Sequence, residues 1–128
     1  MRYLLDTHTL VWWLTDDGHL SHPARAALGD GDNEVIVSAV SAFELTTKHR
    51  LGKWPEAGLI STDFVKYVMA ERFTLLAIET SHALYAGQLV AEHKDPFDRL
   101  LAAQAILEDL IIVSTDTAFD TFGVQRLW

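Results

Sequence analysis

The sequence contains no cysteine. Disulfides, thiolate zinc sites and cysteine nucleophiles are therefore excluded, and the chain suits a reducing compartment. Proline appears three times and glycine seven, with no low-complexity tract, repeat or linker-like stretch. No apolar run approaches the roughly 18 residues of a membrane span. The opening "MRYLLDTHTLVWWL" is interrupted by Asp6 and His8 and has no small-residue cleavage site after it, so no secretory leader is expected. No G-x-G-x-x-G follows the first apolar run, and no His-x-x-x-His pair occurs, which removes the dinucleotide and zinc-helix signatures. Positive charge is also scarce. Eighteen acids against 10 Lys plus Arg give a net charge of −8, unlike a simple basic nucleic-acid binder. These features predict a soluble, cytoplasmic protein with no membrane segment.

What is present is a core. Hydrophobic residues make up 49% of 128 residues, the size of one domain spanning 1–128. Short apolar runs at Arg2–Asp6, Glu34–Ala39, Thr74–Glu79 and Leu110–Asp116 read as strands, and "VQRLW" as a last one. Between them lie helical patterns: "THTLVWWLTD", "HPARAALGD" capped by Ser21, "SAFELTTKHRLGK" stopped by Gly52, and "STDFVKYVMAERF" with Phe64, Val65, Val68 and Met69 on one face. "SHALYAGQLVAEH", capped by Thr80, follows, then a helix from Asp95-Pro96 to about Asp109, and a short one at Thr117–Phe122. Alternating strands and helices predict an α/β fold, a mainly parallel sheet covered on both faces. Ligands in such sheets bind beyond the carboxyl ends of the strands, where Asp6 and Asp116 fall.

Each acid has two readings. Asp6 either caps the following helix or serves as a metal ligand, and Asp116 in "STDTAF" is equally ambiguous. Glu44 completes an S-x-x-E capping box if the helix begins at Ser41. If Ser38 is the cap, Glu44 lies in the second turn among Ala42, Phe43 and Leu45, where an unpartnered acid is costly to bury. In "HKDPFDRLLAAQA", Asp95 before Pro96 reads as the cap. Asp98 shares a helix face with Ala102 and Ala105, whose small side chains allow close approach, and reads as the working acid. Four ionised acids on one surface repel unless cations sit among them. All-oxygen ligation suits Mg2+ or Mn2+. Two such ions can clamp the attacking and leaving oxygens of a phosphodiester.

"YLLDTH", "SAFEL", "DPFDRLLAAQA" and "VSTDTAF" together resemble the PIN-domain ribonucleases, and most closely the VapC-type toxins of toxin–antitoxin pairs. "LGKW" and "FGVQRLW" resemble one subgroup of that family, so the likeness spans nearly the whole chain. The resemblance implies a PIN-like α/β/α sandwich and a Mg2+- or Mn2+-dependent endoribonuclease. It also implies a homodimer that acts on RNA and is inhibited by a cognate antitoxin. It assigns the catalytic, metal-binding quartet to Asp6, Glu44, Asp98 and Asp116, choosing Asp98 over Asp95. Thr7 and Thr115 resemble auxiliary hydroxyl positions. Lys48, Arg50, Lys53 and Arg99 are the candidate guides for RNA phosphates, each with an ordinary solvated ion pair as the alternative. For Trp12, Trp13, Trp54 and Trp128, core or dimer packing competes with base stacking. A receiver-like phosphoryl-transfer domain lacks its paired acid and late lysine here. A PIN-like module that only docks a partner remains the non-enzymatic alternative, separable by metal-dependent cleavage.

Overall fold

A computed structural model describes residues 1–128. Five strands, β1 (Arg2–Leu5), β2 (Glu34–Ser38), β3 (Thr74–Leu76), β4 (Ile111–Val113) and β5 (Arg126–Leu127), form one sheet in the order β3-β2-β1-β4-β5. Every pairing is parallel, with Tyr3 opposite both Val35 and Ile111, Ile36 opposite Thr74, and Ile112 opposite Arg126. The strands are short unbroken apolar runs because both faces are buried. Alternate residues serve opposite layers. Tyr3, Leu5, Val35, Val37 and Val113 join one core, whereas Leu4, Ile36 and Ile112 join the other.

The first core is closed by α1 (Thr7–Leu14), α2 (His22–Gly29), α3 (Ala39–Arg50), α4 (Gly58–Thr62) and α5 (Phe64–Ala70), through Leu10, Leu28, Leu45, Ile60 and Val68. The second is closed by α7 (Pro96–Leu107) and by the 3-10 turn Thr117–Phe122, through Leu101, Ala102, Ala105 and Phe119. α6 (Thr80–Gln88) packs against α7. The result is the expected α/β/α sandwich. No helix is long and apolar enough to cross a membrane.

Several expected boundaries move, each for a local reason. The helix anticipated over 61–73 breaks at Asp63, whose backbone (φ −127°, ψ 41°) is not helical, giving α4 and α5. On α5 the expected apolar face divides: Phe64 and Val68 are buried, while Val65 and Met69 are exposed. α6 is capped by Glu79 instead of Thr80, because the His82 ring accepts from the Glu79 backbone N–H while the Glu79 side chain caps the helix in return. It stops at Gln88, five residues before the expected end at His93. Gly52 does terminate the α3 region in the left-handed conformation (φ 74°), as expected for a residue without Cβ.

The early stop of α6 is tied to Arg99. Its guanidinium donates to the carbonyls of Ala86 (3.0 Å), Leu89 (2.6 Å), Ala91 (3.2 Å) and His93 (3.0 Å). One planar fork thus satisfies the carbonyls of the α6–α7 connection, a geometry that an ammonium cannot reproduce. Arg99 was a candidate phosphate guide, and the fold corrects this: its donors are committed to backbone. Arg99→Lys is expected to cost about 1–3 kcal/mol of stability in urea denaturation. Arg50→Lys, at an exposed position, is expected to cost less than about 0.5 kcal/mol. Equal effects would contradict the strap.

Candidate active site

The strand order reverses direction at β1: the chain moves outward through β2 and β3, then returns to the other side of β1 with β4. In parallel sheets this switch point opens a crevice at the carboxyl ends. A cleft of about 380 Å3 lies there, lined by Asp6, Thr7, His8, Trp12, Glu44, Lys48, Asp95, Asp98, Thr115 and Asp116. The four acids singled out in the sequence therefore meet on one surface, although they come from four separate segments.

Asp6 ends β1 and caps α1, accepting from Thr9 N at 2.8 Å through Oδ1. Its Oδ2 accepts from the buried Ser114 hydroxyl. Ser114 also accepts from Asp116 N at 3.0 Å, so this one hydroxyl ties the ends of β1 and β4 together. Asp116 in turn caps the following 3-10 turn through Ala118 N (2.9 Å). Capping and cleft lining thus coincide in both acids. Burial pushes the Asp6 carboxyl above its ordinary range, against the opposing pull of the Ser114 and Thr9 hydrogen bonds.

Glu44 resolves toward the buried alternative. Ser38, not Ser41, caps α3 through Val40 N at 3.0 Å, so no Ser41–Glu44 capping box forms. Glu44 lies one turn inside the helix and is only 5% exposed. Its Oε1 is 2.5 Å from Thr7 Oγ1, and its Oε2 is 2.6 Å from Lys48 Nζ. Thr7 has a single hydroxyl proton, so it donates to Glu44 and accepts from Ser41 Oγ at 3.0 Å. Thr7 thus lines the cleft and holds one oxygen of Glu44. Thr115 lines the cleft and is exposed, while Ser114 beside it carries the bridging hydrogen bonds.

In "DPFD" the two acids differ in hydrogen bonding, although both line the cleft. Asp95 accepts from Phe97 N (2.8 Å) and Asp98 N (3.3 Å) and is the cap of α7. Asp98, on the first turn, faces the cleft with Oδ2 at 2.7 Å from His93 Nε2. Burial pushes the Asp98 carboxyl up to about 6; the His93 hydrogen bond lowers it, while the charges of Asp95 and Glu44 raise it.

Two contributors escaped the sequence reading. Ser114 had a signal, a hydroxyl two residues before a strand-end acid, which is a local side-chain-to-backbone pattern. His93 stood near the acids in sequence, but its ring contact with Asp98 depends on the Arg99 strap that folds the connection back. Of the four basic candidates, Lys48 alone lines the cleft. Arg50 and Lys53 are exposed outside it, and Arg99 is the strap.

No group of three or more Asp, Glu or His side chains is arranged, as it stands, to hold a metal ion. The donor set nevertheless fits a hard divalent cation in kind. It consists of carboxylate and hydroxyl oxygens, without thiols, and each engaged carboxylate oxygen keeps a second lone pair. Of the acids that line the cleft, Glu44 alone is paired with a lysine or arginine; Asp6, Asp95, Asp98 and Asp116 are not.

The raised Asp98 carboxyl has a measurable consequence. A carboxyl whose folded pKa exceeds its unfolded value holds its proton better in the folded state. Between about 3.9, the unfolded value, and about 6, the folded chain binds more protons, so stability falls as pH rises. In EDTA, wild type is expected to lose stability relative to Asp98→Asn across that window and to be the less stable of the two above pH 6, as read by thermal unfolding. Parallel pH profiles would contradict the assignment.

Residues 3–124 match the PIN domain family. No curated protein sequence matches the chain. Among solved structures, VapBC2 from Rickettsia felis, bound to a promoter DNA fragment, superposes with a TM-score of 0.72 at 19% identity, over 99% of this chain and 98% of that one. FitAcB from Neisseria gonorrhoeae gives 0.69 at 18%, over 98% and 96%. VapBC-1 from nontypeable Haemophilus influenzae gives 0.68 at 16%, over 99% and 97%. At these identities the structures share the fold, and the family match, which spans nearly the whole chain, places this protein in the PIN-domain family.

Proposed function

We propose that residues 1–128 form one PIN domain that hydrolyses RNA phosphodiesters with Mg2+ or Mn2+, acting as the toxin of a cytoplasmic toxin–antitoxin pair. The observation that carries this reading is the meeting of Asp6, Glu44, Asp98 and Asp116 in one cleft with Thr7 and Lys48. The family and the fold likeness to VapBC and FitAcB structures support it. A cognate antitoxin that covers the acidic cleft, and a homodimer, belong to the same proposal.

Asp6, Asp98 and Asp116 would hold the cations, with Glu44 completing the shell directly or through water. When bound, a divalent cation supplies a nucleophilic water at neutral pH and neutralises charge on the phosphodiester. The chain's own residues do the rest. Ser114 fixes the orientation of Asp6 and ties it to the Asp116 backbone. Thr7 and Lys48 each hold one oxygen of Glu44. His93 fixes Asp98 from the outer side. Charge left on the phosphate is met by Lys48, the cation on the cleft wall. Attack by water requires no ribose 2′-hydroxyl; the P–O3′ bond breaks, the 3′-oxygen leaves and takes up a proton, and the products are a 5′-phosphate and a 3′-hydroxyl.

A non-catalytic PIN-like docking module is the second reading. It is favoured by the absence of a preformed three-ligand group and by the engagement of Asp98 with His93. Cleavage of labelled structured RNAs separates the two. Wild type with Mn2+ or Mg2+ is expected to cut, and EDTA to abolish cutting. Asp98→Asn is expected to lose about 100-fold or more. Asp95→Asn is expected to stay within severalfold, because Asn caps a helix nearly as well as Asp. Uptake of Mn2+ by the metal-free chain should strengthen as pH rises through about 6, where Asp98 ionises and stops holding a proton that competes with the cation. A 2′,3′-cyclic phosphate end would exclude the water mechanism, and absence of cleavage with either metal would favour the docking module.

A further inference from the structure

Packing holds three of the four acids in place. Asp6 and Glu44 are buried and Asp98 is half-buried, but Asp116 is exposed, as are Thr115 and Thr117 on either side of it. A carboxylate on an exposed turn can swing with its backbone. To work beside Asp6, Asp116 needs its backbone fixed by something other than burial. The closing strand β5, only two residues long, contains the group that does this.

The Arg126 guanidinium points away from the cleft and bonds to the chain on both sides of Asp116. Nη1 donates to Ser114 O at 3.1 Å, two residues before Asp116. Nε and Nη2 donate to Asp120 Oδ1 at 2.9 Å and Oδ2 at 3.1 Å, four residues after it. The Arg126 side chain is 19% exposed although it sits on an edge strand, whereas Asp120 is 53% exposed. β5 holds Ser114 a second time, because Leu127 O accepts from Ser114 N at 3.2 Å. Every polar group of Ser114 is thereby engaged: its N–H and C=O by β5, and its hydroxyl by Asp6 and the Asp116 N–H. Arg126 makes no ion pair with Asp116 itself. The Asp116 carboxylate is therefore fixed through its backbone while its charge stays unpaired.

We infer that Arg126 is a positioning residue: it staples the Ser114–Asp120 segment at both ends and so sets where the Asp116 carboxylate stands beside Asp6. The cation that Asp116 would hold rests on the nuclease reading; the staple itself does not. Two of its contacts are the paired oxygens of one carboxylate and the third is a carbonyl, a set that suits a planar fork and that a lysine ammonium cannot span.

The test compares wild type with Arg126→Gln, Arg126→Lys and Asp120→Ala. Amide hydrogen exchange is read by NMR on the metal-free chain, and Mn2+ affinity by calorimetry. The reporting amides are Asp116 N–H, bonded to Ser114 Oγ, and Ala118 N–H, bonded to Asp116 Oδ1. In Arg126→Gln both are expected to exchange at least about tenfold faster, while amides of the central strands β1 and β2 keep their wild-type rates. Mn2+ affinity is expected to fall about tenfold in the same variant. Arg126→Lys is expected to behave like Arg126→Gln, and full recovery by lysine would overturn the fork in favour of charge alone. Should Arg126→Gln fail to fold, Asp120→Ala, at an exposed position, frees one end of the staple and is expected to speed Ala118 exchange at least about threefold. Unchanged exchange at both amides in the folded variants would overturn the staple and leave the metal reading standing. Faster exchange with unchanged Mn2+ affinity would overturn the positioning role. If wild type takes up no Mn2+, the nuclease reading fails, and the exchange rates alone decide the staple.

Discussion

Everything at the candidate site depends on one electrostatic constraint: several carboxylates must share a small cleft without forcing the fold apart. The parallel sheet creates the problem by bringing every strand's carboxyl end to one edge. It also supplies part of the solution. Helices that follow parallel strands present their N-termini at that same edge, where unpaired backbone N–H groups favour negative charge. Asp6, Asp95 and Asp116 each accept backbone N–H groups at such a start, and Asp98 sits in a first turn. Glu44, which has no helix start beneath it, has Lys48 and Thr7 instead. Burial still raises the Asp6 and Asp98 carboxyls above their ordinary range, that of Asp98 to about 6. A divalent cation would supply what the protein does not.

The same constraint explains why capping and cleft lining are not competing roles here. A carboxylate oxygen has two lone pairs, so one oxygen can accept from a backbone N–H and still face the cleft. Asp6 and Asp116 are held in place by being caps, and Ser114 locks the two strand ends to each other. Asp6 N also donates to Val113 O at 3.2 Å, and Thr9 Oγ1 to the same carbonyl at 2.8 Å. The cleft's wall is thus built from the β1–β4 seam itself, the most deeply buried part of the sheet.

The sequence showed the sheet clearly because strands buried on both faces are short, unbroken apolar runs, as at Arg2–Leu5 and Glu34–Ser38. It showed the acids because each sits next to an element boundary, and boundaries carry strong local signals such as Asp95-Pro96. Other features depended on partners distant in sequence. The break at Asp63 has no glycine or proline to announce it. Glu79 caps α6 through His82, a residue that carries no capping signal in isolation. Arg99 read as a phosphate guide because a sequence displays charge but not the four carbonyls that consume it. Arg126 passed unnoticed because it reaches Ser114 and Asp120 only once β5 has paired with β4.

The most direct measurement is calorimetric titration of Mn2+ into the chain at pH 7.5, for wild type and Asp98→Asn. A carboxylate cleft that needs a cation should bind Mn2+, and Asp98→Asn should weaken that binding at least about tenfold. Wild type that takes up no Mn2+, or binding that is indifferent to Asp98, would show that the acids meet for structural reasons alone.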